Sequence, residues 1–360
     1  MHSNQYVTAI PNSGFRVGHK LDDLITGFIL AELYDLEYLH SPLPDERWEA
    51  FFGLGENETL FSEFFESAKI NRLDVDLVSC SPLLGVRKFS PPALAGLNAI
   101  SPLETRGRRW LKRAPTPKIR KWRKPYWSGV SFEYLERVFD NIKTIDRPRI
   151  YCFQKAVRVL LYQVLQWARE GKVEKSVYDN VVSKLRQKYH ARSHPYKVAN
   201  FESDKIHIGV HIRREDASVK NQRFLPTSFY QTITRQLNEL LSDRPHRFHI
   251  YSFGSDEEMN ELVREFQSES YGELIEFHLV EPAMTSFHQM TLCDVLVTGH
   301  SAFSDWAGFF SYNLKLYHPH FHMYDLDETD WVEVNDEGYF DKARVASKLN
   351  ASREVSKELS

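Results

Sequence analysis

The stretch Ile206-His-Ile-Gly-Val-His-Ile-Arg-Arg-Glu-Asp216 limits the fold of this chain more than any other. A short apolar, β-branched run ends abruptly in His211, Arg213, Arg214, Glu215 and Asp216. This is the pattern of a buried parallel strand delivering polar side chains at its carboxyl end. Open α/β sheets bind their ligands there. Two adjacent arginines are costly to bury unless an anion meets them, and a guanidinium fork matches phosphate oxygens two at a time. The stretch therefore points to a phosphate-bearing ligand, a nucleotide diphosphate first, with structural salt bridges to nearby carboxylates as the plain alternative.

Around this strand, apolar patterning alternates. Tyr6 to Ile10 reads as a strand, residues 11 to 18 as a turn-rich loop holding Gly14 and Gly18, and the residues from His19 as a helix with Leu21, Leu24, Ile25, Phe28 and Ile29 at helical spacing. Glycines let backbone N–H groups approach an anion before a helix N-terminus, so this loop is a second candidate phosphate contact. Tyr34 to Leu39 reads as a strand, and Tyr151 to Trp167 and Val177 to Tyr189 as helices. Beyond residue 200 strands are expected at 248–253, 274–280 and 294–298, and helices at 229–241, 256–266, 287–292 and 304–311. Strand and helix taking turns means a parallel sheet. Residues 330–340 read as irregular. The division expected is an N-terminal domain over 1–200, a C-terminal domain over 201–340 and a polar terminal helix over 341–360.

With 360 residues, 42% hydrophobic and 13% aromatic, the chain has ample material for two packed cores and is not disordered. Its formal charge of -3 rules out a general polyanion binder, so any electrostatic function must be local. Cys80, Cys152 and Cys293 are odd in number and widely spaced, which gives neither a disulfide framework nor a zinc motif and suits free thiols in a reducing compartment. Without a leader pattern or a membrane-length apolar stretch, a cytoplasmic location is expected.

Local charge does occur. From Arg106 to Lys124 there are ten basic residues and no acidic one, with Trp110 and Trp122 interleaved. Pro115, Pro117 and Pro125 argue against one helix and for a mobile loop. It reads either as a solvated excursion with aromatic anchors or as a grip on an anionic acceptor, a membrane surface or nucleic acid. His318-Pro-His-Phe-His322 with Asp325 alternates as metal ligands on one strand face do, but no further ligands converge on it in sequence, so no metal is assigned.

Two more strand ends join the first. Tyr251-Ser-Phe-Gly-Ser-Asp256 closes one, and Thr298-Gly-His-Ser-Ala-Phe-Ser-Asp-Trp306 the other. Ser301 and Ser304 sit in a glycine-led turn before a helix, where hydroxyls and backbone N–H groups hold phosphate. For Asp256 and Ser304 a helix N-cap is the better reading.

These residues carry a family resemblance. His211 to Asp216 resembles the His-x-Arg-Arg-Gly-Asp signature of the superfamily that includes the α-1,2, α-1,6 and protein O-fucosyltransferases. Ser301 to Ser311 is similar to the third motif of its α-1,2 members, and Gly14-Phe-Arg-Val-Gly-His-Lys-Leu21 resembles their glycine-rich loop. The resemblance implies a GT-B fold of the α/β class, with two Rossmann-like domains facing across a cleft, and an inverting, metal-independent transfer of fucose from GDP-fucose to a glycan hydroxyl, with no cofactor. Carried onto this chain, Arg213 and Arg214 would neutralise the diphosphate, His211 would lie near the nucleotide, and Ser301 with Phe303 would line its pocket. Gly14, Arg16, Gly18 and His19 would close the cleft, and Asp256 joins the donor-binding set. Glu215 stands where the signature has glycine. Ser286 stands where relatives often read guanine with an acid, and Glu281 is a candidate substitute.

Displacement at an anomeric carbon needs a base near the incoming hydroxyl. His19 and Asp23 lead, with Asp22 and Asp216 behind them. Expected partners are the nucleotide-sugar donor and a glycan acceptor, anionic or lipid-linked, with peripheral membrane contact through Arg106 to Lys124. Two alternatives stand: the same fold using another nucleotide sugar, and a non-enzymatic module binding nucleic acid or anionic lipid through the basic loop. Confinement of positive charge to one proline-broken loop speaks against nucleic acid.

Overall fold

The structure is a computed structural model and describes residues 5–11, 16–68, 74–79, 86–89, 132–139, 149–154, 160–196, 201–217, 223–319, 326 and 329–358. The chain divides into two compact units. The first holds 1–15, 19–46 and 55–163; the second holds 16–18, 47–54 and 164–360. Gly14, the basic run 106–124, Cys80, His320, His322 and Asp325 lie outside the described residues.

The first unit is built on a six-stranded sheet of β1 (Gln5–Ile10), β2 (Glu37–His40), β3 (Thr59–Leu60), β4 (Asp74–Ser79), β5 (Val86–Phe89) and β6 (Arg149–Gln154), in the order β3-β2-β1-β6-β4-β5. Only the edge pair β4 and β5 is antiparallel. Helix α1 (Val17–Tyr34) buries Leu21, Leu24, Ile25, Phe28 and Ile29. Helix α2 (Glu46–Phe52) belongs from Arg47 onward to the second unit, whereas α3 (Phe61–Ala68) and α4 (Phe132–Phe139) belong to this one.

Two expectations are corrected here. The stretch Tyr151 to Trp167 is not one helix: Tyr151, Cys152 and Phe153 lie in β6, and helix α5 (Leu160–Arg169) begins at Leu160. β6 sits between β1 and β4 with Ile150 to Phe153 all at most 2% exposed. A strand covered on both faces loses its period of two, and a continuous apolar run does not distinguish it from a buried helix. Likewise α1 runs to Tyr34, so the second strand is shorter than expected.

The second unit carries a six-stranded sheet that is parallel throughout. Its strands are β7 (Ile206–Arg213), β8 (His246–Phe253), β9 (Ile275–His278), β10 (Val295–Val297), β11 (Leu314–Tyr317) and β12 (Trp331–Glu333), ordered β12-β11-β10-β7-β8-β9. This is the doubly wound Rossmann order, which reverses direction between β7 and β10. Along β7, Ile206, Ile208, Val210 and Ile212 join the apolar core with Phe229, Ile233 and Leu237 of α7 (Thr227–Leu240) and Met259, Leu262 and Phe266 of α8 (Asp256–Gln267). The alternate positions His207, Gly209, His211 and Arg213 belong to the other face. Of the segment expected to be irregular at 330–340, Trp331–Glu333 forms the edge strand β12, and 334–340 carries no helix or strand.

The boundary falls at Val164 rather than near residue 200 because α6 (Lys175–His190) packs with the second unit, against α10 (Ala302–Phe310). Tyr189 stacks near Phe310 at 4.9 Å, and Arg186 donates to the Phe309 carbonyl at 2.9 Å. Phe51 and Phe52 of α2 close an aromatic cluster with Tyr189, Phe310 and Phe287 of α9 (Ala283–Leu292). The terminal helix α11 (Lys342–Glu358) is not a separate polar appendage, since Val345 and Leu349 enter the core fully buried. Two Rossmann-like α/β units in one chain are the composition of the GT-B class. Among the described residues, no helix is long and apolar enough to cross a membrane.

Candidate anion-binding site

The switch point of the second sheet is occupied by the residues that the sequence singles out. β7 ends at Arg213, and β10 runs through Thr298 and Gly299 into Ser301, the N-cap of α10. Gly299 is required by proximity, because a Cβ there would lie 2.6 Å from the His211 carbonyl oxygen. Across this narrow gap Arg213 Nη1 donates to Ser301 Oγ at 2.8 Å. Ser301 Oγ also accepts from the Phe303 backbone N–H at 3.3 Å, so its own proton is available to donate. A guanidinium and a helix N-terminus thus converge on one point, each favouring negative charge.

The remaining edge of the Arg213 fork grips Asp216, with Nε to Oδ1 at 2.9 Å and Nη2 to Oδ2 at 2.8 Å. Burial pulls the Asp216 carboxyl upward, but the Arg213 bond and charge, with Arg16 and Arg223 behind them, hold it below the usual carboxylate range. Asp216 stays 39% exposed at its side chain, so the ion pair opens to solvent. Arg214 behaves differently. It is buried and donates to the carbonyls of Arg213 and Leu225 and to Thr227 Oγ1, with its guanidinium 4.8 Å from the Phe224 ring centre. Arg214 therefore ties β7 to the start of α7 as well as adding charge.

Glu215 adopts a left-handed backbone conformation, with φ at 49°. A non-glycine residue in that region is strained by roughly 1 kcal/mol or more. Its carboxylate takes both arms of Arg16, at 2.7 and 3.0 Å. Arg16 to Gly18 belong to this unit, and Gly18 seats against α10: a Cβ on it would lie 2.9 Å from Ala302 Cβ and 3.2 Å from Phe303 N. The Gly18 carbonyl also accepts from Trp306 Nε1 at 3.1 Å. Arg16, Arg213 and Arg223 thus gather at one strand end around Glu215 and Asp216, while the Arg214 charge faces Glu258, Glu261 and Glu265.

His211 forms the floor. Burial first, and then the charge of Arg213, push its pKa down to about 3, so the ring is neutral. Its buried Nδ1 has no hydrogen-bond partner among the described residues, and its ring centre lies 5.9 Å from that of Phe303. Phe303 in turn packs edge-on to Phe287 and Trp48.

Other candidates are placed elsewhere or differently. Asp256 is exposed and is not the N-cap of α8; Ser255 caps it in a reciprocal pair with Glu258. Ser304 does not cap α10 but donates back to the Ser301 carbonyl at 3.2 Å. Glu281 accepts from His278 Nδ1 at 2.8 Å, and Ser286 lies inside α9. Half-buried His19 and buried Asp22 and Asp23 belong to the first unit, on the opening turns of α1. His318 donates or accepts at 2.9 Å with both His300 and Asp336. The contacts of Gly18 with Trp306, and of Glu215 with Arg16, carry no sequence signal beyond the residues themselves, because they join positions nearly 200 or more apart in the chain.

No protein-family model matches the sequence, and no curated protein matches it. Solved structures that resemble it include three crystal structures of POFUT1. The apo form aligns with a TM-score of 0.40 at 12% identity, covering 86% of this chain and 95% of that one. The complex with GDP-fucose aligns with a TM-score of 0.40 at 12% identity, over 86% and 94%. The complex with GDP aligns with a TM-score of 0.37 at 11% identity, over 88% and 99%.

Proposed function

We propose that this chain is a glycosyltransferase that holds the diphosphate of a nucleotide sugar at the switch point of its second unit, with GDP-fucose as donor and a glycan hydroxyl as acceptor. The observation that carries this reading is the Arg213 to Ser301 bond of 2.8 Å spanning the ends of β7 and β10. Doubly wound sheets bind nucleotides at that crevice, and here it presents a guanidinium, a hydroxyl with a proton to give and a helix N-terminus. The choice of guanine and fucose rests on the likeness of the His211 to Asp216 and Ser301 to Ser311 motifs.

In this reading the acceptor oxygen attacks the anomeric carbon as the bond to the diphosphate breaks, so configuration inverts. Negative charge then develops on the departing GDP, and Arg213 with Arg214 stabilises it there. These two fixed cations take the part that a divalent metal plays in other transferases, so the chemistry needs no metal on the diphosphate. Asp216 yields its place in the Arg213 fork to phosphate oxygens and moves to solvent. His211, kept neutral, donates or accepts without adding charge. The acceptor proton passes to a base or to solvent, and His19 and Asp23 are the candidates that the sequence offers for that base.

The test is calorimetric titration of wild type and Arg213→Ala with GDP, UDP and CDP in the absence of metal. Binding of GDP that is lost in the variant is the expected outcome. A preference for UDP keeps the transferase and discards GDP-fucose, while binding to none of the three overturns the reading. Arg213 is a better probe than Arg214, whose removal would also strand the Leu225 carbonyl and Thr227.

A further inference from the structure

On the face of the second sheet turned away from its apolar core, three histidines form a continuous row. His207 Nε2 meets the Glu202 carbonyl at 2.9 Å, and His207 Nδ1 meets His249 Nε2 at 2.9 Å. His249 Nδ1 then meets His278 Nε2 at 3.0 Å, and His278 Nδ1 meets Glu281 Oε1 at 2.8 Å. Phe201 stacks over the first two rings and Tyr251 over the third, so the row is walled in.

The two ends decide where the protons are. A carbonyl oxygen only accepts, so His207 carries its proton on Nε2 and presents a lone pair at Nδ1. His249 must then donate from Nε2, which leaves a lone pair on its Nδ1. From the other end, the Glu281 carboxylate accepts from His278 Nδ1, which leaves a lone pair on His278 Nε2. The contact of 3.0 Å between His249 and His278 therefore joins two acceptors with no hydrogen between them. Glu276 brings a third: its carboxylate lies 3.9 Å from each of these two nitrogens.

Arg247 lies 3.8 Å from the Glu276 carboxylate, and three electron-pair donors that converge on one point suit a small cation. We propose that His249 Nδ1, His278 Nε2 and the Glu276 carboxylate form a binding site for one divalent first-row transition ion of the zinc class. Bonds of about 2.1 Å at tetrahedral angles place ligand atoms roughly 3.4 Å apart, and the separations of 3.0, 3.9 and 3.9 Å straddle that value. Neutral imidazole with one carboxylate is a donor set suited to such ions. The outer contacts are those of a built site, since each ligating ring gives its other N–H to a fixed acceptor, His249 to His207 and His278 to Glu281. A shared proton is the competing occupant. It would create an imidazolium in a row that is almost fully buried, where desolvation opposes a charge.

The site is independent of the proposed transferase chemistry. His278 pairs in register with Tyr251, which pairs with His211, so it lies two strands from the His211 floor. An ion there would pin β8 to β9 and stabilise the unit in proportion to metal concentration.

The experiment uses the full chain, stripped with a chelator and titrated with Zn(II) by calorimetry at mildly alkaline pH, with Co(II) absorption and thermal melting alongside. One equivalent bound, visible Co(II) bands and a raised melting temperature are expected. Glu276→Gln and His278→Gln should each weaken binding by at least about tenfold, whereas His318→Gln, in the other histidine-rich stretch, should leave it unchanged. Glu276 is the more exposed ligand, so its variant keeps the assay readable if a histidine variant fails to fold. Failure to bind either metal, or binding that survives both ligand variants, overturns the proposal.

Discussion

Two charged groups in the second unit use the same elements, an aspartate between two cations, to opposite ends. At the sheet edge Asp330 bonds Lys315 and Arg186, the latter at 2.6 Å, while Lys315 and Arg186 also donate to the carbonyls of Ser311 and Phe309. The Lys315 side chain has no solvent exposure. At the mouth Asp216 lies between Arg213 and Arg223, but its side chain is 39% exposed. One aspartate is committed to its partners and holds α6 to β11; the other is open to solvent, and in the proposed reading it gives up its arginine to phosphate. Asp330 is itself 27% exposed, so the contrast lies in the cation: Lys315 is sealed, while Arg213 keeps 15% of its side chain open to solvent.

The largest expected effect breaks the sealed group. Asp330→Ala strands buried Lys315 and should lower stability by about 3–5 kcal/mol in urea unfolding; a loss below about 1 kcal/mol would make both groups surface-like. Next, Arg213→Ala should cost little stability, about 1 kcal/mol or less, yet reduce nucleotide diphosphate affinity about 100-fold, or ~2.7 kcal/mol. Equal loss of fold and affinity would erase the contrast. Added Mg²⁺ should leave the wild-type affinity unchanged, in line with arginines carrying the diphosphate charge.

Acid sharpens the comparison. Asp216 and Asp330 are both held below the usual carboxylate range, so both pairs persist well into acid. The buried histidines His211 and His288 are different, since burial holds them to about 3 and about 4. A histidine with a depressed pKa refuses a proton that the unfolded chain accepts below about 6.5. Stability should therefore be fully present above pH ~6.5 and fall by about 1.4 kcal/mol per pH unit for each such group as pH drops toward 4. The slope should shrink in His211→Asn, and an unchanged slope would move the effect elsewhere. The smallest effect concerns Glu215→Gly. Relief of the left-handed backbone and loss of the exposed Arg16 pair nearly cancel, so stability should shift by less than about 1 kcal/mol.

Much of this was legible in the chain alone. A β-branched run ending in two arginines reads as a buried strand delivering charge at its carboxyl end, because side-chain period and burial are local properties. The same holds for α1, for the Rossmann-like alternation after residue 200 and for a Gly-His-Ser turn before a helix. Where the chain misled, the local signal was degenerate. Ile150 to Phe153 is apolar on both faces, so only the neighbours β1 and β4 decided that it is a strand. Ser255 and Asp256 are both good caps, and only the backbone at 255 chose between them. Tertiary structure alone decided the rest: that β7 pairs with β10 across 88 residues, so that Arg213 and Ser301 share one crevice, that Glu215 adopts a left-handed conformation, that Arg214 is half a structural clamp, and that three histidines from three strands line up in one row. Those facts depend on strand order and register, which are set by the packing of whole elements and leave no trace in the residues next to one another in sequence.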